Sequence, residues 1–284
     1  MQRLLRHAAL ILVTVLLGGL LGATLVRFSP GFGVDEAELD PRRSSASIES
    51  IRRAKGEERN IPAFYLHYLG RMAKGNLGTS RTLNRPVLEL VVTRLPETVK
   101  SVILGLLVGW GAGLLLAIPI AMFRSWALDI AASTLAAILL CVPTAVFALL
   151  FVVLRTPGRL VIALIVFPKV FRYARNLLVK SALLPHVLTA RAKGLGNLRV
   201  FARHILPNVA PQLSSLAGVS VSLAFTAAIP VEVLCDLPGI GQLAWKAALG
   251  RDLYLLVNLT MIITLITLMA NCAADLARPQ GARA

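Results

Sequence analysis

The chain carries 14 acidic residues, four histidines and three cysteines, the side chains from which acid–base, nucleophilic or metal-assisted chemistry is built. Their spacing supports none of these. No Asp or Glu lies between Asp129 and Glu232, and Cys141, Cys235 and Cys272 are widely separated, with no metal-ligand spacing and no disulfide framework. Paired catalytic carboxylates and a Cys/His dyad are missing as well. His7, His67, His186 and His204 fall outside the clearest apolar stretches, which removes the intramembrane relay that a proton-coupled carrier needs. The P-loop pattern G-x-x-x-x-G-K-[ST] does not occur, so ATP has no site in this sequence. The expectation is a chain that is not an enzyme and binds no cofactor of its own.

What remains is the chemistry of association. The stretch Leu184 to Pro211 is broken by Gly194 and Gly196, with Asn197 placed to cap a new helix. Beyond it, Leu198, Phe201, Ala202 and Ile205 form one predicted face and Arg199 and Arg203 another, so two short helices at a glycine elbow are expected. Two uses fit: a basic amphipathic helix on anionic lipid, or a docking element for a cytoplasmic partner. A second cluster follows. Leu237-Pro238-Gly239-Ile240 fits a type II turn, Asp252 suits the amino end of the next helix, and Asn271 and Asp275, four apart, can meet on one face. Glu232 reads as a lone interfacial carboxylate. Shaping helix ends explains these residues better than contact with a solute.

The elements that position these residues are membrane helices. The sequence is 56% hydrophobic and only 15% charged, against about 25% in soluble domains, and its mean hydropathy is +0.73. Uncharged stretches of roughly 20 residues suffice to cross a bilayer. Ala8 to Val26, Ser101 to Phe123, Ile130 to Leu154, Asn208 to Val231 and Leu253 to Ala274 qualify, the first as a retained helix rather than a cleaved signal. Leu160 to Leu178 is interrupted by Pro168, Lys169, Arg172 and Arg175; residues 169, 172 and 176 share a face, so a polar stripe against protein or water makes it a sixth crossing. The fold class expected is all-α with six transmembrane helices. Its parts are 1–26, amino terminus and first helix; 27–97, an extracytoplasmic insert; and 98–284, a five-helix core containing the cytoplasmic segment 180–208. The stretch Arg172 to Arg203 holds seven basic residues, Arg172, Arg175, Lys180, Arg191, Lys193, Arg199 and Arg203, and no acid, which marks it as cytoplasmic. The net charge of +16 follows from this topology rather than from nucleic-acid binding.

Thr189-Ala190-Arg191-Ala192-Lys193-Gly194-Leu195, followed by Arg203-His204 and Leu206-Pro207-Asn208, resembles the coupling segment of permeases in the dipeptide, oligopeptide and nickel branch of ABC importers. In the same order come Ser29-Pro30-Gly31, Gly75 to Ser80, Pro86-Val87, Arg94 to Thr98, Glu232, Pro238-Gly239-Ile240-Gly241, Arg251-Asp252, Asn271 and Asp275. Two stretches depart from the pattern, Leu188-Thr189-Ala190 where the broader motif has Glu-Ala-Ala, and Pro185-His186 where Asp-Tyr is usual. The resemblance implies an inner-membrane permease that pairs with a second permease. Two cytoplasmic ATPases, which bind the ATP and magnesium, and an extracytoplasmic solute-binding protein complete the assembly. It also implies that residues 189–195 dock in the ATPase, with small Ala190 and Gly194 allowing close approach. A membrane receptor or assembly subunit with a lipid-binding basic loop is the alternative.

Overall fold

A computed structural model describes residues 2–28 and 61–276, and every described element is a helix apart from the isolated bridge between Thr79 and Pro86. Ser29-Pro30-Gly31 and most of the charged insert lie outside the described residues, as does the side chain of Asp275. The helices are α1 (Gln2–Phe28), α2 (Ile61–Ala73), α3 (Val87–Phe123), α4 (Trp126–Cys141), α5 (Thr144–Val153), α6 (Leu160–Ala182), α7 (Pro185–Ala192), α8 (Asn197–Leu234), α9 (Ile240–Leu249) and α10 (Leu253–Leu276). By packing, the chain divides into one unit of residues 1–94 with 243–265 and another of 95–242 with 266–284.

Among the described residues three helices, Val87–Phe123, Asn197–Leu234 and Leu253–Ala274, are long and apolar enough to cross a membrane, and a fourth span is reached only by joining α4 and α5. That pair corrects the expected straight helix from Ile130 to Leu154: the two halves meet at 96°. The cause is Pro143. Val142 before it is extended (φ −87°, ψ 125°), as steric clash with a following proline ring requires, and the helix restarts only after Pro143. Two other boundaries also shift. The helix holding the uncharged stretch from Ser101 begins earlier, at Val87 just after Pro86, and runs through Pro96 as one 37-residue helix. Nor is Asn208 a helix start, because α8 is continuous for 38 residues from Asn197.

In the first unit α1 packs on α2 and on the portion of α10 around Met261. Gly18, Gly19 and Gly22 form the contact face; a Cβ on Gly19 would stand 2.7 Å from the Tyr65 hydroxyl and 2.8 Å from Met261. Tyr65 donates to the Leu16 carbonyl at 2.6 Å and Tyr68 to Asn258 Oδ1 at 2.7 Å. Burial pushes both phenols upward, so both remain donors at neutral pH.

The second unit is built around α6, which packs against α4, α5 and α8. It also receives a glycine stripe from α3: a Cβ on Gly105, Gly109 or Gly113 would meet Ile162, Val166 or Val170 at 2.5, 2.9 or 2.9 Å. Small residues every fourth position let two helix backbones approach without lipid between them. The charges of α6 fall elsewhere. Arg175 takes Asp129 of α4 in a two-pronged pair, its Nε donating to Oδ1 at 2.8 Å and its Nη2 to Oδ2. The pair gives Arg175 an opposite charge on the neighbouring helix. Arg159, in the turn before α6, likewise pairs with Glu97 of α3.

Candidate functional site

Two segments carry the expected site residues in the second unit. The first is the turn after α8. Glu232 is fully buried, because the chain doubles back over it. Its Oε2 accepts the backbone N–H of Gly241 at 2.6 Å and of Gln242 at 3.3 Å, while Thr98 Oγ1 accepts that of Ile240 at 2.7 Å. The first three amides of α9, which have no partner within the helix, are thus satisfied by two side chains distant in sequence. The glycines make room for this. A Cβ on Gly239 would lie 2.2 Å from the Glu232 carboxyl carbon, and one on Gly241 would lie 2.7 Å from the Ile229 Cα.

The predicted type II turn does not form. It requires a positive φ at Gly239, whereas the positive φ in this stretch belongs to Asp236 at 50°. Asp236 Oδ1 accepts from Gln242 Nε2 at 2.6 Å, closing the turn from the other side. Pro238 remains exposed. This arrangement is a latch that fixes the exit of α8 to the start of α9. Thr98 closes the motif-like stretch Arg94 to Thr98, but no sequence pattern showed that it meets Ile240, and none pointed to Gln242, since these contacts exist only once the chain has folded back.

In the first unit Asp252 performs a similar task. It is buried, caps α10 through Leu255 N–H to Oδ1 at 3.1 Å, and accepts on Oδ2 from Ser80 Oγ at 2.6 Å and from Thr82 N–H at 3.1 Å. Arg251 beside it is exposed with φ 51°.

The second segment is α7 with the elbow after it. Pro185 opens the helix, where its missing N–H costs nothing. Gly194, at φ +78°, ends it, and Gly194 N–H bonds the Arg191 carbonyl at 2.9 Å. Val187 and Ala190 are buried against the same core cluster as Phe171, Leu178, Phe201 and Ile205. Ala190 therefore faces the chain's own interior, which corrects the expectation that it provides close approach to a partner. The outward face consists of Pro185, His186, Leu188, Thr189, Ala192, Lys193 and Gly194. Arg191 and Leu195 are half-buried at its edge, and the buried Nε of Arg191 has no acceptor among the described residues.

Asn197 does not cap by its side chain. Gly196 is the N-cap and Asn197 the first helical residue. The apolar face beyond also differs from expectation: Val200, Phe201 and Ile205 are buried, whereas Leu198 is 74% exposed and Ala202 is exposed. A π turn over Phe201–Ile205 explains it, because wider winding brings residues five apart, such as Val200 and Ile205, onto one face. His186 Nε2 donates to the His204 carbonyl at 3.4 Å, tying α7 to that turn. Asn208 Nδ2 donates to Ser181 Oγ at 3.2 Å, tying α8, three turns in, to the end of α6. The segment is held from behind and open in front.

Residues 109–279, which include both segments, match the family described as binding-protein-dependent transport system inner membrane component. The chain belongs to this family. As a member it is a multi-pass protein of the bacterial inner membrane. Relatives are similar over nearly their whole length. A Brucella suis chain assigned as a peptide permease is 29% identical over 297 residues, covering 92% of this chain and 93% of the relative. The dipeptide transport system permease protein DppB of Lactococcus lactis is 25% identical, with 96% and 95% covered. The oligopeptide transport system permease protein AppB of Bacillus subtilis is 26% identical, with 90% and 92% covered.

Proposed function

We propose that this chain is the permease subunit of an ATP-binding-cassette importer for di- or oligopeptides, or for a related solute such as a nickel chelate. The peptide reading draws on the names of its relatives. Coupling rests on one observation: the outward face of α7 is bare while its inward face is locked to α6 and α8. Movement imposed on that face is passed to two long helices through packed Val187 and Ala190 instead of being absorbed by a flexible loop.

The full arrangement comprises six crossings, with α6 and the bent α4–α5 pair among them and the insert between α1 and α3 outside. A second permease shares the path, two ATPases carry ATP and magnesium, and a solute-binding protein delivers from outside. The unsatisfied Nε of Arg191 and the cationic Lys193 suit a carboxylate or carbonyl on the ATPase surface. In the alternative, a receptor with a lipid-binding basic loop, no ATPase is recovered with the chain.

The test is reconstitution of the chain with its neighbouring gene products in vesicles, with labelled tripeptide uptake and ATP hydrolysis as readouts. Uptake that requires both ATP and binding protein supports the reading; a purified complex without ATPase, or one that hydrolyses ATP without moving peptide, overturns it. Cysteines placed at Lys74 and Lys193 test the topology. An impermeant reagent added outside intact cells should label the first and spare the second, and the reverse pattern contradicts the proposed sidedness.

A further inference from the structure

The exposed surface of the second unit has two characters. On α3, α4 and α5 it is apolar: Leu107, Leu115, Ile138 and Val153 are 68%, 73%, 57% and 77% exposed. On α6 it is not. The helix buries Val161, Ile162, Val166, Val170, Phe171, Ala174 and Leu178, and on its free side it exposes Lys169, Arg172, Tyr173, Asn176 and Lys180. These positions follow helical spacing, so they form one continuous stripe. The packed neighbour α8 has a matching free side, with Asn208, Gln212, Val219 and Thr226 exposed and Ser215 and Ser222 half-exposed between them. The Asn208–Ser181 hydrogen bond joins the two helices near the end of α6, Ser181 itself being buried.

The hydroxyls on α8 do not decide the surroundings, because Ser215 and Thr226 donate back to the Pro211 and Ser222 carbonyls and such residues are tolerated in lipid. Lys169 and Arg172 do decide it. Arg175, one turn away, is neutralised by Asp129, whereas no described residue forms an ion pair with Lys169 or Arg172. Cations on a membrane helix face protein, water or another charge.

We propose that the α6 stripe lines the water-filled solute path, and that Lys169 and Arg172 form a way-station there for the carboxylate of the passing solute. The idea rests on the permease reading above. A peptide carries a carboxylate at neutral pH, and a pair of cations with no ion-pair partner among the described residues is its complement. Two cations without fixed acids attract an anion without holding it in a closed cage, which suits a path more than a storage site.

The experiment uses the assembled transporter with its native cysteines replaced, and single cysteines at Asn176 and, for comparison, at Ile138 of α4. Small impermeant thiol reagents, one anionic sulfonate and one cationic ammonium, are added to inside-out vesicles. Asn176→Cys should react and Ile138→Cys should not. The anionic-to-cationic rate ratio at residue 176 should fall about tenfold when Lys169→Gln and Arg172→Gln are combined, with the cationic rate kept or raised as the sign that the fold is intact. An unreactive residue 176, as expected of a stripe against anionic lipid, overturns the path assignment. A ratio that does not change overturns the anion role. Neither readout depends on transport, so failed tripeptide uptake would count against the importer and leave the labelling pattern to be judged separately.

Discussion

The turn from Glu232 to Gln242 and the segment from Pro185 to Leu195 are both short, glycine-punctuated and attached to α8, yet they use their residues in opposite directions. In the turn, polar groups point inward: one oxygen of a buried carboxylate and a threonine hydroxyl accept three backbone amides, while the second carboxylate oxygen, Glu232 Oε1, has no partner among the described residues. In the segment they mostly point outward, and it is held down chiefly by the buried Val187 and Ala190, with Leu195 packed at its edge. The glycines differ in the same sense. Gly239 is needed because Glu232 occupies the space of a side chain, whereas nothing lies within 4 Å of a Cβ on Gly194, where the constraint is its φ of +78°. A motif shared by two loops can thus mean internal architecture in one and a docking surface in the other, and burial tells them apart.

The contrast predicts a graded series. Glu232→Ala should have the largest effect on stability, since it strands the Gly241 and Gln242 amides at about 1–3 kcal/mol each and opens a cavity. The yield of folded protein in detergent and its thermal unfolding midpoint should both fall sharply, while Glu232→Gln, which keeps one carbonyl acceptor, should recover part of the loss. Gly239→Ala comes next, at about 1–3 kcal/mol for overpacking against that carboxyl. Gly194→Ala should cost about 1–2 kcal/mol through left-handed strain alone. Leu188→Lys, on the open face, should shift stability by no more than about 0.5 kcal/mol and still impair transport. If it unfolds the protein as Glu232→Ala does, the distinction between the two regions fails. Ala190→Arg cannot serve as a docking test, because at 4% exposure its added bulk acts on the chain's own core.

Much of this was legible in the sequence where a single residue dictates local geometry. Gly194 ends α7, Asp252 caps α10, and the uncharged stretches around residues 101–123, 208–231 and 253–274 lie within long helices. What was not legible depended on neighbours distant along the chain. Nothing local to Glu232 shows that Gly241 folds back onto it, and Gly105, Gly109 and Gly113 acquire meaning only against Ile162, Val166 and Val170. The spacing of those three glycines was nonetheless a usable signal for a close helix contact. Periodicity misplaced Leu198 because it assumes one winding throughout, and the π turn at Phe201–Ile205 changes it. Pro143 was visible, but whether a proline kinks a helix or divides it depends on the surroundings; here the break is 96°.

The most direct test of the central claim, that the exposed face of α7 transmits ATPase action to the membrane helices, pairs two readouts on Leu188→Lys in the reconstituted complex. The account predicts an unchanged unfolding midpoint together with a fall of about tenfold or more in the stimulation of ATP hydrolysis by loaded binding protein, within the usual range of coupling between sites. Normal stimulation by that variant, at normal assembly, would contradict it.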